Sequence, residues 1–337
     1  MKENYLLNLL DHLFERNSPD SQDRCAPIQA KRYGVIWLIL PAVLVLGFTT
    51  VSHAADEILL VRSGSASIYR QTEQAIRNYC SRKQDCPATK SISLPLDRKS
   101  LRQHLNNAII AVTIGQKAAE AVHRTSSSTP VIHSLITSRG RALLNRLPVK
   151  HKGSRTSLLL DQPISRQLSV VKAALPNKKR LGVIYGPQSQ RLRSEVRSAV
   201  KKHGFTLVER TSGKGKEIGR KLKSLLKSVD LVLALPDPSL YNKKTLANVL
   251  LTSFRHKVPV IGFSAGFVKA GALLATHTSP KQVGRQAAQL VYHRLQGKHH
   301  TGTIYPADFQ LSINRRVAKS LKVSLPGKKE ILRRRRQ

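Results

Sequence analysis

Short apolar blocks recur along the chain from Glu57 onward, separated by longer stretches in which apolar residues recur at helical spacing. Many of the blocks are continuous runs of Val, Ile and Leu, which is typical of strands covered on both faces. The predicted strands are Ile58–Val61, Ser91–Leu94, Ala108–Thr113, Pro130–Leu135, Thr156–Leu160, Arg180–Tyr185, Thr206–Glu209, Leu231–Leu235 and Val258–Phe263.

Helical periodicity fills most of the intervals between these strands. Because strands and helices alternate, we predict parallel sheets assembled from βαβ units. The predicted helices are Tyr69–Cys80, Arg98–Leu105, Lys117–His123, Gln167–Leu175, Arg191–His203, Glu217–Lys227 and Thr245–Phe254.

The alternation pauses near Pro148–Asp161 and then begins again, which divides the body into two units. A length of 337 residues also favours two domains. We therefore expect an α/β fold with two Rossmann-like lobes, residues 56–160 and 161–326, with parallel sheets around a central cleft. Ligands of open α/β sheets bind at the carboxyl ends of the strands, so two facing lobes would form a hinged clamp.

One charge-free apolar run, Gly34–Val51, follows the basic pair Lys31 and Arg32 and precedes the small residues of Ser52–Ala54. This order predicts an export signal over residues 35–54, with cleavage after Ala54. Because residues 1–34 form an N-terminal extension ahead of it, an uncleaved membrane anchor is the alternative. The body is thus expected in the periplasm, either free or tethered to the inner membrane.

Lysines and arginines number 58 against 19 acidic residues, a formal net charge of +39. Such a surface attracts anions, so contact with anionic lipid or polysaccharide is one interpretation and a merely solvated surface is the other. Nucleic acid is not expected as a partner, because no nucleic-acid-binding motif accompanies the charge. Residues 327–337 form a basic tail, including Arg333–Arg336, for which we expect a frayed, solvated end.

Cys25 precedes the apolar run, whereas Cys80 and Cys86 follow it and lie close together in sequence. In an oxidising compartment Cys80 and Cys86 are a disulfide candidate, and two free thiols are the alternative. Their spacing matches neither a zinc nor a redox motif.

Catalytic motifs are incomplete. The segment Gly262–Gly266 has the spacing of a nucleophile elbow, but no histidine follows Asp308, as the order of a hydrolase triad would require. Ser212–Lys216 is phosphate-loop-like only in composition, and the pair His299 and His300 lacks a second ligand cluster. The sequence thus predicts a binding protein rather than an enzyme, with no cofactor and no metal.

An ordered series of segments in the second half of the chain has a familiar pattern: Leu160–Pro187, Leu233–Leu251, Val258–Ala275, Pro280–Gly297 and Phe309–Pro326, with weaker similarity in Val112–Val122 and Thr129–Thr137. On these segments the chain resembles the substrate-binding proteins of ABC transporters, in the branch that includes tryptophan-type receptors. The resemblance implies a type I periplasmic-binding-protein fold, with a helix at residues 280–296 that returns to the first lobe. It also implies a small-molecule solute, an ABC permease in the inner membrane as partner, and a monomeric state.

Small polar residues and glycines follow several of the predicted strands, which is typical of ligand-binding loops. Asp237 is expected either to pair with a ligand amine or to cap the following helix. The low aromatic content, 5%, argues against an aromatic amino acid as the ligand. Together with the resemblance, these positions predict a ligand site formed by Ser63, Ser67, Tyr69, Gly115, Gln116, Ser189, Pro236, Asp237, Ser264 and Phe267.

Overall fold

Two sheets, each with helices packed on both faces, make up the computed structural model, which describes residues 57–213 and 217–335. The strands are β1 (Glu57–Arg62), β2 (Thr89–Ser93), β3 (Ala108–Ile114), β4 (Val131–Ile136), β5 (Arg155–Leu159), β6 (Arg180–Tyr185), β7 (Thr206–Thr211), β8 (Leu231–Leu233), β9 (Val260–Gly262), β10 (Leu274–His277), β11 (Gly302–Ile304) and β12 (Gln310–Ile313).

The α-helices that alternate with these strands agree with most of the predicted helical intervals. They are α1 (Ser67–Cys80), α2 (Arg98–Asn106), α3 (Gln116–His123), α4 (Ser138–Leu144), α5 (Ile164–Ala174), α6 (Arg193–Lys202), α7 (Ile218–Leu226), α8 (Leu246–Arg255), α9 (Ala265–Ala270), α10 (Pro280–Leu295), α11 (Arg315–Ser320) and α12 (Lys328–Arg334).

The first sheet has the strand order β11-β5-β4-β3-β1-β2, and every pairing in it is parallel. The second has the order β12-β10-β9-β8-β6-β7 and is parallel except for β12, which pairs antiparallel with β10. The predicted α/β class with two lobes is confirmed. The edge strands β11 and β12 escaped prediction because each is short and partly polar.

The core of each lobe follows directly from the apolar runs. Residues Ile58–Val61 of β1 have no exposed surface, and the same holds for Leu231–Leu235 along and just beyond β8. Such runs are covered by helices on both faces, which is why they lack a polar alternation. The resulting rigid sheets set the positions of the loops at their carboxyl ends.

Two segments depart from a simple division of the chain at residues 160 and 161. Helix α10 follows the second-lobe strand β10 but packs along α1, and its residues Val283 and Val291 lie in the core of the first lobe. Strand β11 then joins the first sheet beside β5. The chain therefore crosses between the lobes three times, within residues 160–163, 278–279 and 305–309.

Gln162 of the first crossing and Arg166 of the following helix α5 link the three crossings. Gln162 donates its amide to the Thr278 hydroxyl in the second crossing. Arg166 donates to the Gln162 side-chain oxygen at 2.8 Å and to the Pro306 carbonyl in the third crossing. Gln162 and Thr278 are buried, so these hydrogen bonds are shielded from water. These hydrogen bonds thereby hold the three crossings together.

The C-terminal residues correct one expectation. Residues 328–334 are not a frayed end but helix α12, which packs against α5. Ile331 is fully buried in the core of the second lobe, and Leu332 packs against the same core. This apolar pair within the basic stretch provides the burial that holds the helix in place.

The predicted extension (residues 1–34) and the predicted export segment (residues 35–54) lie outside the described residues. Within the described part of the chain, no helix combines the length and apolar character needed to cross a bilayer.

Cys80 and Cys86 are free thiols in the structure. Cys80 is buried at the end of α1, and Cys86 is partly covered beside the same core. Burial and the neighbouring Cys86 raise the pKa of the Cys80 thiol well above its ordinary range.

Three buried histidines of the first lobe, His123, His133 and His151, are expected to make the stability of the protein depend on pH. His133 is buried and shares a 2.9 Å hydrogen bond with Thr113. Burial, with the charges of His123, His151 and Arg155, lowers the His133 pKa to about 3, and burial also lowers the pKa of His123 and of His151.

The unfolded chain binds protons at these histidines near pH 6.5, whereas the folded chain does so only at lower pH. Stability is therefore complete above about pH 6.5 and falls as the pH drops towards the folded pKa values. For His133 alone the loss at pH 5 is about 2 kcal/mol. Urea titrations at pH 7.5 and pH 5 should show this loss, and His133→Asn should reduce it. An equal loss in both proteins would contradict the assignment.

Candidate functional site

A cavity of about 480 Å³ lies between the two lobes, at the carboxyl ends of the strands of both sheets. Of the predicted site residues, six line it and four do not. The six are Ser63, Tyr69, Gln116, Pro236, Ser264 and Phe267, and the four are Ser67, Gly115, Ser189 and Asp237.

The first-lobe wall is formed where β1 and β3 end. The Ser63 hydroxyl accepts a 2.9 Å hydrogen bond from the Ala118 backbone N–H, which ties this loop to α3. Gly115 lies directly behind the wall with φ +96°, and a Cβ there would stand 2.6 Å from the Tyr69 ring and 2.7 Å from the Ser63 hydroxyl. Gly115 is thus needed to let these two side chains lie where they do.

Gln116 and Ser67 serve partly local roles. The Gln116 amide donates to the Glu120 carboxylate at 2.8 Å and to the Gly140 carbonyl at 3.3 Å. Its side-chain oxygen has no hydrogen-bond partner among the described residues and is buried. Ser67 accepts from Gln71 within the first turns of α1 and lies outside the cavity.

Asp237 holds a second-lobe loop together rather than facing the cavity. The carboxylate has no exposed surface, and one of its oxygens accepts from the backbone N–H groups of Gln188 and Ser189 at 3.0 and 2.8 Å and from the Ser189 hydroxyl at 2.9 Å. Its other oxygen accepts from the backbone and hydroxyl of Ser239. Both oxygens are therefore already occupied, which corrects the interpretation of Asp237 as a partner for a ligand amine.

Three aromatic side chains form the second-lobe wall. The ring centroids of Phe263 and Phe267 are 4.8 Å apart, and those of Tyr241 and Phe267 are 5.6 Å apart in an edge-to-face contact. Ser264 caps α9 by accepting from the Phe267 N–H at 3.1 Å, which holds Phe267 beneath the cavity. The elbow-like spacing of residues 262–266 is thus explained by a strand-to-helix turn with a serine cap.

A charged group at the hinge end of the cavity was not anticipated from the sequence. The Asp161 carboxylate, in the first crossing, accepts from the Ser138 backbone N–H at the start of α4. Arg191, from the second lobe, donates to the Ser138 hydroxyl at 3.0 Å and so bridges the lobes. Glu195 accepts from the Ile164 N–H at 3.1 Å, and Tyr305 contributes a half-exposed ring from the third crossing.

Burial and neighbouring charges shift the pKa values of two of these groups, Asp161 and Tyr305. Burial raises the pKa of the Asp161 carboxyl, although hydrogen bonds from Ser138 and the positive charge of Arg191 oppose the shift. Burial raises the Tyr305 pKa, and the carboxylates of Glu195 and Asp161 raise it further. The cavity thus places acidic and basic groups at its hinge end and aromatic rings on its second-lobe wall. Among the described residues, no cluster of His, Cys, Asp or Glu is suited to a metal ion.

Known proteins are similar to this chain in sequence or in structure. A tyrosine-binding protein of Clostridioides difficile (strain R20291) is 24% identical over 219 residues, which is 64% of this chain and 60% of the relative's length. A ligand-free, open substrate-binding protein with adhesive properties from Clostridium difficile superposes with a TM-score of 0.66 at 15% identity, covering 82% of this chain and 97% of the other.

An ABC domain from Streptococcus pneumonia in complex with L-Trp superposes with a TM-score of 0.51 at 18% identity, covering 82% of this chain and 97% of the other. The sequence profile described as "ABC transporter substrate binding protein" matches residues 96–334, more than half of the chain. Proteins of this kind bind solutes and are not enzymes, which confirms the prediction of a non-catalytic protein. With this match, the resemblance seen in the sequence is confirmed: the chain belongs to the ABC transporter substrate-binding protein family.

Proposed function

We propose that this protein is the extracytoplasmic receptor of an ABC importer and closes its two lobes around one small solute. The observation that carries the proposal is the cavity between the lobes, into which both sheets direct side chains from their carboxyl ends. Such sites in open α/β sheets are ligand sites. An inner-membrane permease is the partner that this role requires, and the receptor acts as a monomer.

The lining chemistry favours a zwitterionic amino acid with an aromatic or apolar side chain. Although the chain as a whole is poor in aromatics, the fold gathers five of them around the cavity: Tyr69, Tyr241, Phe263, Phe267 and Tyr305. Opposite charges at the hinge end, Asp161 and Arg191 among them, match an ammonium and a carboxylate. The names of two similar proteins, one tyrosine-binding and one solved with L-Trp, support the same ligand class.

Closure is expected to occur about the three crossings. Arg191 already reaches the first lobe at Ser138, and the contacts of Gln162 and Arg166 keep the crossings together as the lobes move. A solute that contacts both walls would favour the closed arrangement, because it binds that state more tightly.

Thermal-shift titration of the purified protein tests the ligand class. We expect L-tyrosine or L-tryptophan to raise the melting temperature, since a ligand bound only to the native state stabilises it. Small dicarboxylates and purines should have no effect. Phe263→Ala, which removes a partly buried ring from the cavity wall, should weaken amino-acid binding by about tenfold.

Phe254→Ala is the matched control, because Phe254 is 41% exposed on α8 and lies outside the cavity. It should leave the titration unchanged. Stabilisation by a purine or a dicarboxylate instead of an amino acid would refute the ligand class, and no stabilisation by any small solute would refute the receptor role.

A membrane-tethered sensor on the same fold is the second candidate. It is favoured by the charge-free apolar run Gly34–Val51, which is about long enough to span a bilayer if it is not cleaved. N-terminal sequencing of the exported protein separates the two roles. A chain that begins after Ala54 supports a free periplasmic receptor, and one that retains the extension supports a tether at residues 35–54.

A further inference from the structure

The C-terminal segment of the second lobe concentrates positive charge. Residues 315–335 contain nine lysines and arginines and one acidic residue, Glu330. Their apolar side chains, including Val317, Leu325 and Ile331, pack against the core of the second lobe. Because the apolar side chains point inward, the basic ones are left on the surface. The C-terminal basic surface comprises the exposed residues Arg315, Arg316, Lys319, Lys322, Lys328, Lys329, Arg333 and Arg334.

Few acidic side chains balance this charge. Glu330 pairs with Arg333 at 2.8 Å and with Arg334 at 2.6 Å, both from its own helix. Within the described residues, the other basic side chains of the surface form no ion pair: Arg315, Arg316, Lys319, Lys322, Lys328 and Lys329. Elsewhere in the fold, arginines surround a shared carboxylate, as Arg62 and Arg77 do at Glu73 and as Arg193 and Arg197 do at Glu209.

The surface spans two helices, α11 and α12, whose backbones are tied together by side-chain contacts. The Arg315 guanidinium donates to the carbonyls of Leu325 and Pro326 at 3.0 and 2.8 Å, which ties the start of α11 to the loop that precedes α12. The guanidinium of Arg335, the residue directly after α12, lies over the Phe309 ring, 5.0 Å from its centroid. The folded backbone therefore presents these cations together, so contact with an extended anionic surface orders side chains but requires no folding of the segment.

We propose that the C-terminal basic surface binds the phosphate head groups of an anionic phospholipid membrane and holds the receptor against it. Segment 315–335 contains no aromatic residue on which bases could stack, which argues against single-stranded nucleic acid. The exposed large apolar residues, Val149, Leu251, Phe254 and Tyr305, all lie outside it, so neither insertion into lipid nor an apolar protein partner is favoured. What remains is electrostatic contact with many closely spaced anions.

Matched charge variants of the full chain test this proposal. Arg316→Gln, Lys319→Gln, Lys328→Gln and Lys329→Gln together remove four charges from the surface. The control carries Arg220→Gln, Lys221→Gln, Lys223→Gln and Lys227→Gln, which remove four charges from the region of α7. Binding is measured to phosphatidylglycerol-containing and to pure phosphatidylcholine vesicles. The ratio of the two affinities cancels any contribution from the apolar N-terminal run.

The unmodified protein should prefer the anionic vesicles, and the preference should fall steeply with salt. Each cation near an anionic bilayer contributes about fivefold in affinity, so removal of four cations should lower the ratio roughly 600-fold at low salt. The α7 variant should lose far less. Equal losses in both variants would overturn the proposal in favour of net charge alone. Binding to soluble dextran sulfate without a preference for anionic vesicles would overturn it in favour of a polysaccharide.

The solute titration described above tests the receptor role independently of this surface. None of the four substituted residues lines the cavity between the lobes, so amino-acid binding should be unchanged in the surface variant. Failure of the membrane experiment therefore leaves the receptor role standing, and failure of the solute titration leaves the membrane contact standing.

Discussion

Replacing Asp237 with alanine is expected to lower the free energy of unfolding by about 4 kcal/mol in the absence of any solute. The carboxylate accepts five hydrogen bonds, three of them from backbone N–H groups, and has no exposed surface. Alanine would leave buried donors of Gln188 and Ser189 without partners, and each such donor costs about 1–3 kcal/mol. The loop that follows β6 would lose the contact that determines its shape.

Urea-induced unfolding followed by circular dichroism measures this loss. Asp308→Ala is the control, because Asp308 is an exposed partner of Arg285 and should change stability by less than about 1 kcal/mol. Asp237→Asn should lie between the two, since it keeps one acceptor oxygen in place. If Asp237→Ala kept full stability and lost only solute binding, the carboxylate would be a ligand group and the structural assignment would be wrong.

Gly284→Ala is the second substitution for which we expect a large effect, a loss of about 3 kcal/mol. Gly284 lies where α10 crosses α1, and a Cβ there would stand 2.3 Å from the Thr72 carbonyl oxygen and 2.8 Å from the Ala75 Cβ. The obstacle is backbone, so no side-chain rotation relieves it. The two helices would have to separate, and the first-lobe core around Val283 and Ala287 would open.

Gly219→Ala provides an unusually direct control. It makes the same chemical change within α7, where a Cβ would meet no atom within 4 Å. Alanine should therefore stabilise the protein there by about 0.5–1 kcal/mol through helix propensity. Thermal and urea unfolding of both variants should give shifts of opposite sign. A stable Gly284→Ala variant would show that α10 does not approach α1 as closely as the structure indicates.

The strands and helices that the sequence predicted correctly are those whose composition is dictated by burial on both sides. Continuous apolar runs such as Arg180–Tyr185 and Leu231–Leu235 are typical of strands covered on both faces. The strands that were missed, β10, β11 and β12, are short, and β11 and β12 are edge strands with polar residues. Local pattern is a weak signal for such strands, because pairing with a neighbour rather than burial of both faces stabilises them.

The sequence predicted several residues that line the cavity but not the charged residues at its hinge end. Strand-end loops drew attention to Ser63, Gln116 and Ser264, which do line the cavity. Asp161 and Arg191 escaped notice because one lies in a crossing segment and the other in a single turn of 3-10 helix, where a charged residue usually faces solvent. Asp237 shows the reverse case, since a carboxylate in a turn looks the same in sequence whether it meets a ligand or the backbone.

By itself, the sequence determined the α/β class and the two-lobe organisation, because the burial of strands and the alternation of strands with helices are local properties of the chain. Only the tertiary structure decided which polar groups face the cavity, that α12 is anchored by Ile331, and that β11 returns to the first sheet. Each of these depends on contacts between residues far apart in sequence. Such contacts are set by how packed elements meet in space, and no local pattern records them.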